Sequence, residues 1–341
     1  MTQLAPELAA LVANSNIATL ADAAEMVDVL RARCRAVVQG RDDTIDLILV
    51  ALLGDGHVLL EDYPGSGKTT LAKSLGESFV ASDMGAGVLP VFRRVQFTPD
   101  LLPSDVIGVT VFEPETTTFA FRRGPVFTHV FLADEINRTS PKVQAALLES
   151  MGEKQVTVDD TTYALGDLFF VIATQNPLDL VGTYPLPLAQ LDRFLFKIRM
   201  THLERDAELE VLSRWNRYAE AEAMPQVAAS DIVAARILVH HHVQVDKQLH
   251  VALVDIARAV RADQRVLQGL STRSLVWALP ALQARAVMQG RDHVTSDDLA
   301  SLLDPLFTHR VEVAPGVDDV SAVVAECAAD ALERLSRSTL R

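Results

Sequence analysis

The sequence predicts an α/β domain built on a parallel sheet, followed by an all-helical domain. Before residue 200, continuous apolar runs suited to strands buried on both faces recur and end in polar or charged residues. A glycine-rich turn joins the first of these runs to a helical pattern, the strand–turn–helix order of open α/β sheets. After Met200, apolar residues recur at helical spacing and extended runs largely disappear. The 341 residues therefore divide into a helical extension (1–36), an α/β domain (37–200), a helical domain (201–315) and a C-terminal helix (316–341).

In chain order, Leu8, Leu11, Val12, Met26, Val27 and Leu30 give the extension its helical spacing, and Gly40 ends it. Thr44 to Leu53 repeats the helical pattern. The link Val37-Val38-Gln39-Gly40 suits two readings equally, with Val38 lying beside an adenine or packing in the core. Strand-like runs follow at Val58 to Leu60, Val91 to Gln96, Val130 to Ala133 and Phe169 to Ala173. Helices are expected over Arg205–Ala223, Ser230–His240, Lys247–Ala262, Ser271–Gln289, Ser296–Phe307 and Asp318–Leu335. Ser271 and Ser296 serve as N-caps and Gly290 as a C-terminal stop. Trp215 and Trp277, at helical spacing among Leu and Val, are expected in the core.

The turn after Leu60 reads Glu61-Asp62-Tyr63-Pro64-Gly65-Ser66-Gly67-Lys68-Thr69-Thr70, a phosphate-binding loop. Gly65 and Gly67 let backbone N–H groups turn toward phosphate oxygens, and the helix beginning near Lys68 aims its positive end at them. Lys68 then neutralises the β- and γ-phosphates, and the Thr69 hydroxyl holds Mg²⁺. Asp62 departs from the strict pattern, which has a glycine there.

Asp134 and Glu135 end the third strand run, about 65 residues after the lysine. Two adjacent carboxylates can divide the labour, Asp134 binding Mg²⁺ and Glu135 polarising the attacking water. Asn176, ending the next run, suits a hydrogen bond to that water or to a γ-phosphate oxygen; the alternative is a turn before Pro177. Arg193 and Arg273 have no evident fold role, and both suit phosphate, because guanidinium is planar and permanently charged; surface salt bridging is the alternative, and spacing alone favours it. His240-His241-His242 point in different directions on a helix end and do not suit one ion.

A net charge of −14 works against sequence-independent binding of nucleic acid, which needs Lys and Arg to displace counterions. Two cysteines, Cys34 and Cys327, indicate neither a disulfide framework nor a zinc site. The N-terminus lacks the basic region and apolar core of a signal peptide, and the longest apolar run, Leu47 to Leu53, is far short of the roughly 20 residues a membrane span needs. A soluble cytoplasmic protein is expected, with no membrane insertion.

From about Val37 to Val311 the chain resembles the MoxR group of AAA+ ATPases. The resemblance is carried by Pro64 to Thr69, Gln96-Phe97-Thr98-Pro99-Asp100-Leu101-Leu102-Pro103-Ser104-Asp105, Gly124-Pro125-Val126-Phe127 and Asp134-Glu135-Ile136-Asn137-Arg138. It continues in Gln144 to Met151, Ala173-Thr174-Gln175-Asn176-Pro177, Gln190-Leu191-Asp192-Arg193-Phe194 and Gly290-Arg291-Asp292-His293-Val294. It implies a P-loop domain on a five-stranded parallel sheet with a helical lid. The nucleotide segment is Pro64, Gly65, Ser66, Gly67, Lys68, Thr69 and Thr70, with Walker A at its centre. Asp134 and Glu135 match Walker B, Asn176 sensor 1, Arg193 an arginine finger acting on a neighbour's ATP, and Arg273 sensor 2.

The resemblance also implies a homo-oligomer, a hexameric ring, that hydrolyses ATP with Mg²⁺ and remodels client proteins, von Willebrand A-domain partners among them. Thr110 to Phe121 and Gln155 to Tyr163 resemble the family's two inserted hairpins, which face the ring axis in relatives; ordinary surface hairpins are the alternative. Competing functions are a nucleic-acid motor, betrayed by stimulation with DNA or RNA, a small-molecule kinase, betrayed by phosphate transfer to a metabolite, and a nucleotide-gated scaffold, betrayed by tight binding with little turnover.

Overall fold

A computed structural model describes residues 5–61, 66–80, 88–177, 182–213 and 218–339. The central sheet has five parallel strands: β1 (Val58–Glu61), β2 (Phe92–Gln96), β3 (Val130–Asp134), β4 (Phe170–Gln175) and β5 (Phe196–Arg199). Their order is β5-β1-β4-β3-β2, so the strand leading to Asn176 lies beside the carboxylate strand. Register pairs Val58 with both Ile172 and Phe196, Leu132 with Ile172, and Gln96 with Asp134.

Side-chain alternation splits the core into two layers. Val58, Leu60, Val130, Leu132, Phe170 and Ile172 enter the larger cluster, shared with the helices below. Leu59, Phe131, Ala133, Val171 and Ala173 enter the smaller one, with Phe97, Leu147 and Phe194. Both faces of the three central strands are covered, which is why their sequences read as uninterrupted apolar runs.

The larger layer is filled by α1 (Leu20–Val37), α2 (Asp42–Leu53) and α3 (Lys68–Gly76). Thr19 and Asp22 cap α1 reciprocally. This helix buries Ala23, Met26, Val27, Leu30 and Cys34 and packs on both α2 and α3, so it is part of the principal core. Opposite, α4 (Pro141–Glu153) supports the smaller layer.

The helical region comprises α5 (Ala229–His242), α6 (Lys247–Ala262), α7 (Thr272–Met288), α8 (Ser296–Phe307) and α9 (Val320–Thr339). The helix expected over Arg205–Ala223 is described as Arg205–Ser213 and Tyr218–Glu222, and Trp215 lies outside the described residues. Ser271 caps α7, accepting from the Ser274 N–H at 3.2 Å. The cap of α8 is Thr295 and not Ser296: Asp298 accepts from the Thr295 N–H at 2.8 Å, which sets the start one residue earlier. Gly290 lies at φ +71° just past α7, as a left-handed stop requires. Trp277 is half-buried against the larger core. No helix among the described residues is long and apolar enough to cross a membrane.

An ionic cluster around the half-exposed Asp55, with Arg236 buried beside it, joins this region to the turn before β1. Lys154 Nζ donates to both oxygens of Asp55 at 2.8 and 2.6 Å, and Arg236 of α5 reaches Asp55 at 2.6 Å. Burial opposes ionisation of Asp55, but the two cations outweigh it and its pKa lies below the ordinary carboxylate value.

Beside that cluster His57 is buried, with one ring nitrogen against the Met151 carbonyl at 3.2 Å and the other accepting from Val171 N–H at 3.1 Å. Burial pushes its pKa down from 6.5 to about 4, so it is neutral when folded. Below pH 6.5 the unfolded chain takes up a proton that the folded chain refuses. The stability from the neutral ring is therefore full above pH 6.5 and is lost as pH falls toward 4, by about 3 kcal/mol from this residue. The urea midpoint should drop between pH 7 and pH 4.5, and His57→Gln, which keeps a donor and an acceptor without a proton to gain, should flatten that drop.

Candidate active site

The carboxyl ends of β1, β2, β3 and β4 lie along one edge of the sheet, where open α/β folds bind ligands. A cleft of about 390 Å³ opens there, lined by Ser66 to Thr70, Arg94, Gln96, Asp134, Glu135, Thr174, Gln175 and Asn176. Gly67 stands at φ +91° as the cap of α3, a backbone position that a side chain would strain. The Ser66 hydroxyl is buried with no hydrogen-bond partner among the described residues, which fits a phosphate oxygen as its acceptor. Pro64, Gly65 and the divergent Asp62 lie outside the described residues.

Asp134 is buried at the end of β3, where Thr174 Oγ1 donates to Oδ1 at 2.7 Å and Arg94 donates to Oδ2 at 2.6 Å. Thr69 and Asp134 offer an all-oxygen donor set within the same cleft, as a hard cation such as Mg²⁺ prefers. Glu135 adopts the left-handed conformation at φ +56°, ψ +51°, costly for a residue with a side chain and characteristic of functional positions. Its N–H donates to Thr174 Oγ1 at 2.9 Å, so a single threonine orients both carboxylate residues. Its side chain accepts from Gln96 Nε2 at 2.7 Å and meets Arg138 at 3.0 Å. Asn176, 7% exposed, lines the same cleft, and its carbonyl accepts from Asn137 Nδ2 at 3.4 Å.

Three residues foreseen from sequence fall elsewhere. Val38 is buried in the larger core and is not among the residues lining the cleft. Arg193, between the smaller core and β5, also lies outside the cleft lining; its Nη1 donates to the Leu148 carbonyl of α4 at 3.1 Å. A Cβ at Gly152 would come within 2.1 Å of that guanidinium, so the absent side chain leaves it room across the helix end. Arg273 is exposed in the first turn of α7 and likewise does not line the cleft. The two arginines are nonetheless linked, because Ser274 Oγ donates to Asp192 Oδ1 at 3.3 Å and ties the segment of one to that of the other.

Sequence reasoning missed the roles of Arg94, Gln96 and Thr174. Arg94 and Gln96, two apart on β2, share the sheet face of Asp134 on the neighbouring β3, and charged or amide residues inside a strand run that abuts the carboxylates were the available signal. Among the described residues no cluster of His, Cys, Asp or Glu suits a metal, the triple histidine included.

A glycine turn at a helix start after β1, an asparagine following the adjacent β4 and paired carboxylates ending β3 beyond it form the constellation expected of a P-loop nucleotide site. Residues 57–196 match the model of the ATPase family associated with various cellular activities (AAA), and residues 258–327 match the AAA lid domain. The chain is 45% identical to the uncharacterized protein YeaC of Bacillus subtilis over 280 residues, 82% of this chain and 84% of that one. It is 35% identical to the chaperone MoxR1 of Mycobacterium tuberculosis over 295 residues, 81% of this chain and 73% of the relative. A crystal structure from Cytophaga hutchinsonii, of a protein assigned as an ATPase, superposes with a TM-score of 0.80 at 32% identity, covering 92% of this chain and 95% of that one. The chain belongs to the MoxR family of AAA+ ATPases.

Proposed function

We propose that the chain binds ATP in this cleft and hydrolyses it as a ring of identical subunits, hexameric by the family resemblance, to remodel a client protein. The observation that carries the reading is the convergence of Ser66 to Thr70, Asp134, Glu135 and Asn176 on one cleft. Lys68 and the N–H groups at the start of α3 meet the phosphates, where the helix dipole also points. Thr69 and Asp134 would hold Mg²⁺, which would neutralise negative charge on the phosphates. Glu135 accepts a hydrogen bond from the attacking water, and Asn176 fixes that water or the γ-phosphate. To reach the water, Glu135 leaves Gln96 and Arg138, and those two side chains become its resting partners.

By the family resemblance Arg193 acts on the cleft of a neighbouring subunit and Arg273 serves as sensor 2; neither is among the residues lining the cleft of its own subunit. The hairpin of Gly108–Glu113 and Thr118–Arg123 presents an edge-to-face pair, Phe112 and Phe119, with ring centroids 5.3 Å apart and Phe119 73% exposed. An apolar pair this exposed suits contact with a client chain. The second hairpin, Gln155–Val158 and Thr161–Ala164, turns through Asp159 and Asp160, both left-handed, as a two-residue hairpin turn demands. The chaperone assignment of a relative supports the remodelling role, and a von Willebrand A-domain partner is the client class we favour.

Incubation with ATP and Mg²⁺ should release inorganic phosphate without added DNA or RNA, and ATP-loaded protein should capture a von Willebrand A-type partner from native cells where ADP-loaded protein does not. Transfer of the γ-phosphate to a metabolite, or equal capture in both nucleotide states, would contradict the proposal.

A further inference from the structure

A buried guanidinium from the helical region makes most of the bonds that hold the segment carrying Arg193. Arg310 closes the short turn Thr308–Arg310 after α8, and its side chain is 2% exposed. Nε donates to Asp192 Oδ1 at 2.8 Å, Nη2 donates to the Phe194 carbonyl at 2.7 Å and the Asp192 carbonyl at 3.4 Å, and Nη1 donates to the Leu195 carbonyl at 3.1 Å and to the Leu306 carbonyl. These five bonds use the full donor capacity of the side chain. Four of them end on residues 192, 194 and 195, so the residues flanking Arg193 on both sides are fixed while Arg193 itself is not touched. His309 adds a second hold on the Phe194 carbonyl at 3.0 Å, and Ser274 of α7 adds one on Asp192 at 3.3 Å.

We propose that Arg310, with Asp192 as its anion, is the positioning residue for Arg193: it clamps the arginine-bearing segment to the helical region, so that segment and lid move as one body. The inference rests on the reading of Arg193 as acting on a neighbour's nucleotide. A planar fork is needed, because carbonyls on three residues and one carboxylate must be met in different directions from one group; lysine, with its donors on one atom, cannot span them. The same fixed body carries Arg273, one residue before Ser274, so both phosphate-directed arginines inherit their placement from the clamp. A shift of about 1 Å in such a group costs on the order of 10²-fold in rate.

The clamp lies outside the nucleotide cleft, and this separates its effect from that of a damaged binding site. Arg310→Lys and Asp192→Ala are each expected to lower turnover by roughly 10- to 100-fold, within the loss that misplacement produces, with affinity for a fluorescent ATP analogue unchanged. The decisive readout is subunit mixing. A Glu135→Gln subunit has an inactive cleft of its own but an intact arginine segment, so mixed with either variant it should restore turnover well above the sum of the separate proteins. Arg193→Ala mixed with Glu135→Gln serves as the control for the reading beneath.

If that control recovers while neither clamp variant does, or if both clamp variants turn over like wild type, the positioning role is wrong. If the control itself fails to recover, the neighbour-directed role of Arg193 is wrong. Recovery with Glu135→Gln but none when a clamp variant is mixed with Arg193→Ala is the expected pattern, since those two partners lack the same function.

Discussion

Arg193→Ala is expected to lower ATP turnover by about 10³ to 10⁵, roughly 4 to 7 kcal/mol of transition-state stabilisation, with ATP binding nearly intact. The reason is geometric. Arg193 does not line the cleft that holds Ser66 to Thr70 and Asp134; its guanidinium rests on the Leu148 carbonyl at the far end of α4. A charge that stabilises the transferring phosphoryl group must reach it directly, so the role proposed for Arg193 is on the nucleotide of a second subunit. Its present bond is to one neutral carbonyl, worth about 1 kcal/mol net, and is readily exchanged for charge-assisted bonds to phosphate. Steady-state phosphate release, with binding followed separately by a fluorescent nucleotide, distinguishes this outcome from simple loss of affinity. An Arg193→Ala protein that keeps more than a tenth of wild-type turnover would remove the residue from the site.

Glu135→Gln is expected to abolish most hydrolysis, by about 10²- to 10⁴-fold, while preserving ATP binding. Glutamine keeps the shape and can still accept a hydrogen bond from water, but its neutral amide cannot take the developing proton. The substitution leaves Asp134, Thr69 and Lys68 in place, so the variant should accumulate in the ATP-bound state. One structural consequence separates the role from a general loss of fold. Glu135 now meets Arg138 at 3.0 Å and Gln96 at 2.7 Å; removing its charge weakens the first contact and leaves the second a neutral amide pair. Such exposed contacts are worth only about 0.2–1 kcal/mol each, so thermal stability should scarcely change. Loss of turnover with a large fall in melting temperature would point to a structural role instead.

The sequence was most legible where burial was most complete. β1, β3 and β4 are covered on both faces and read as plain apolar runs, and the polar residues ending them were correctly set on one edge. β5 escaped notice because it is an edge strand of four residues in which Phe196 and Ile198 point inward while Lys197 and Arg199 turn toward Glu61. An alternating, charged tetrapeptide carries little signal by itself. The cap of α8 slipped by one residue for a local reason: Thr295 and Ser296 are both good caps, and only the position of Asp298 three residues on favours the first. Arg310 was invisible for a different reason, since three of its five acceptors are main-chain carbonyls more than a hundred residues away, and a carbonyl acceptor leaves no mark on side-chain type.

The Asp55, Lys154 and Arg236 cluster was equally hidden, because Lys154 and Arg236 reach Asp55 from distant elements. It bears on the catalytic account, since it ties α5 to the turn before β1 while Arg310 ties the turn after α8 to the arginine segment. Of these two fastenings, only the second leads to an arginine proposed to reach phosphate.

Turnover per subunit measured against protein concentration, with the mass in solution determined on the same samples, tests the shared site most directly. A cleft completed by a neighbour's Arg193 requires specific activity to rise steeply as subunits assemble and to level off once the ring is formed. Full specific activity in dilute, demonstrably monomeric protein would contradict it.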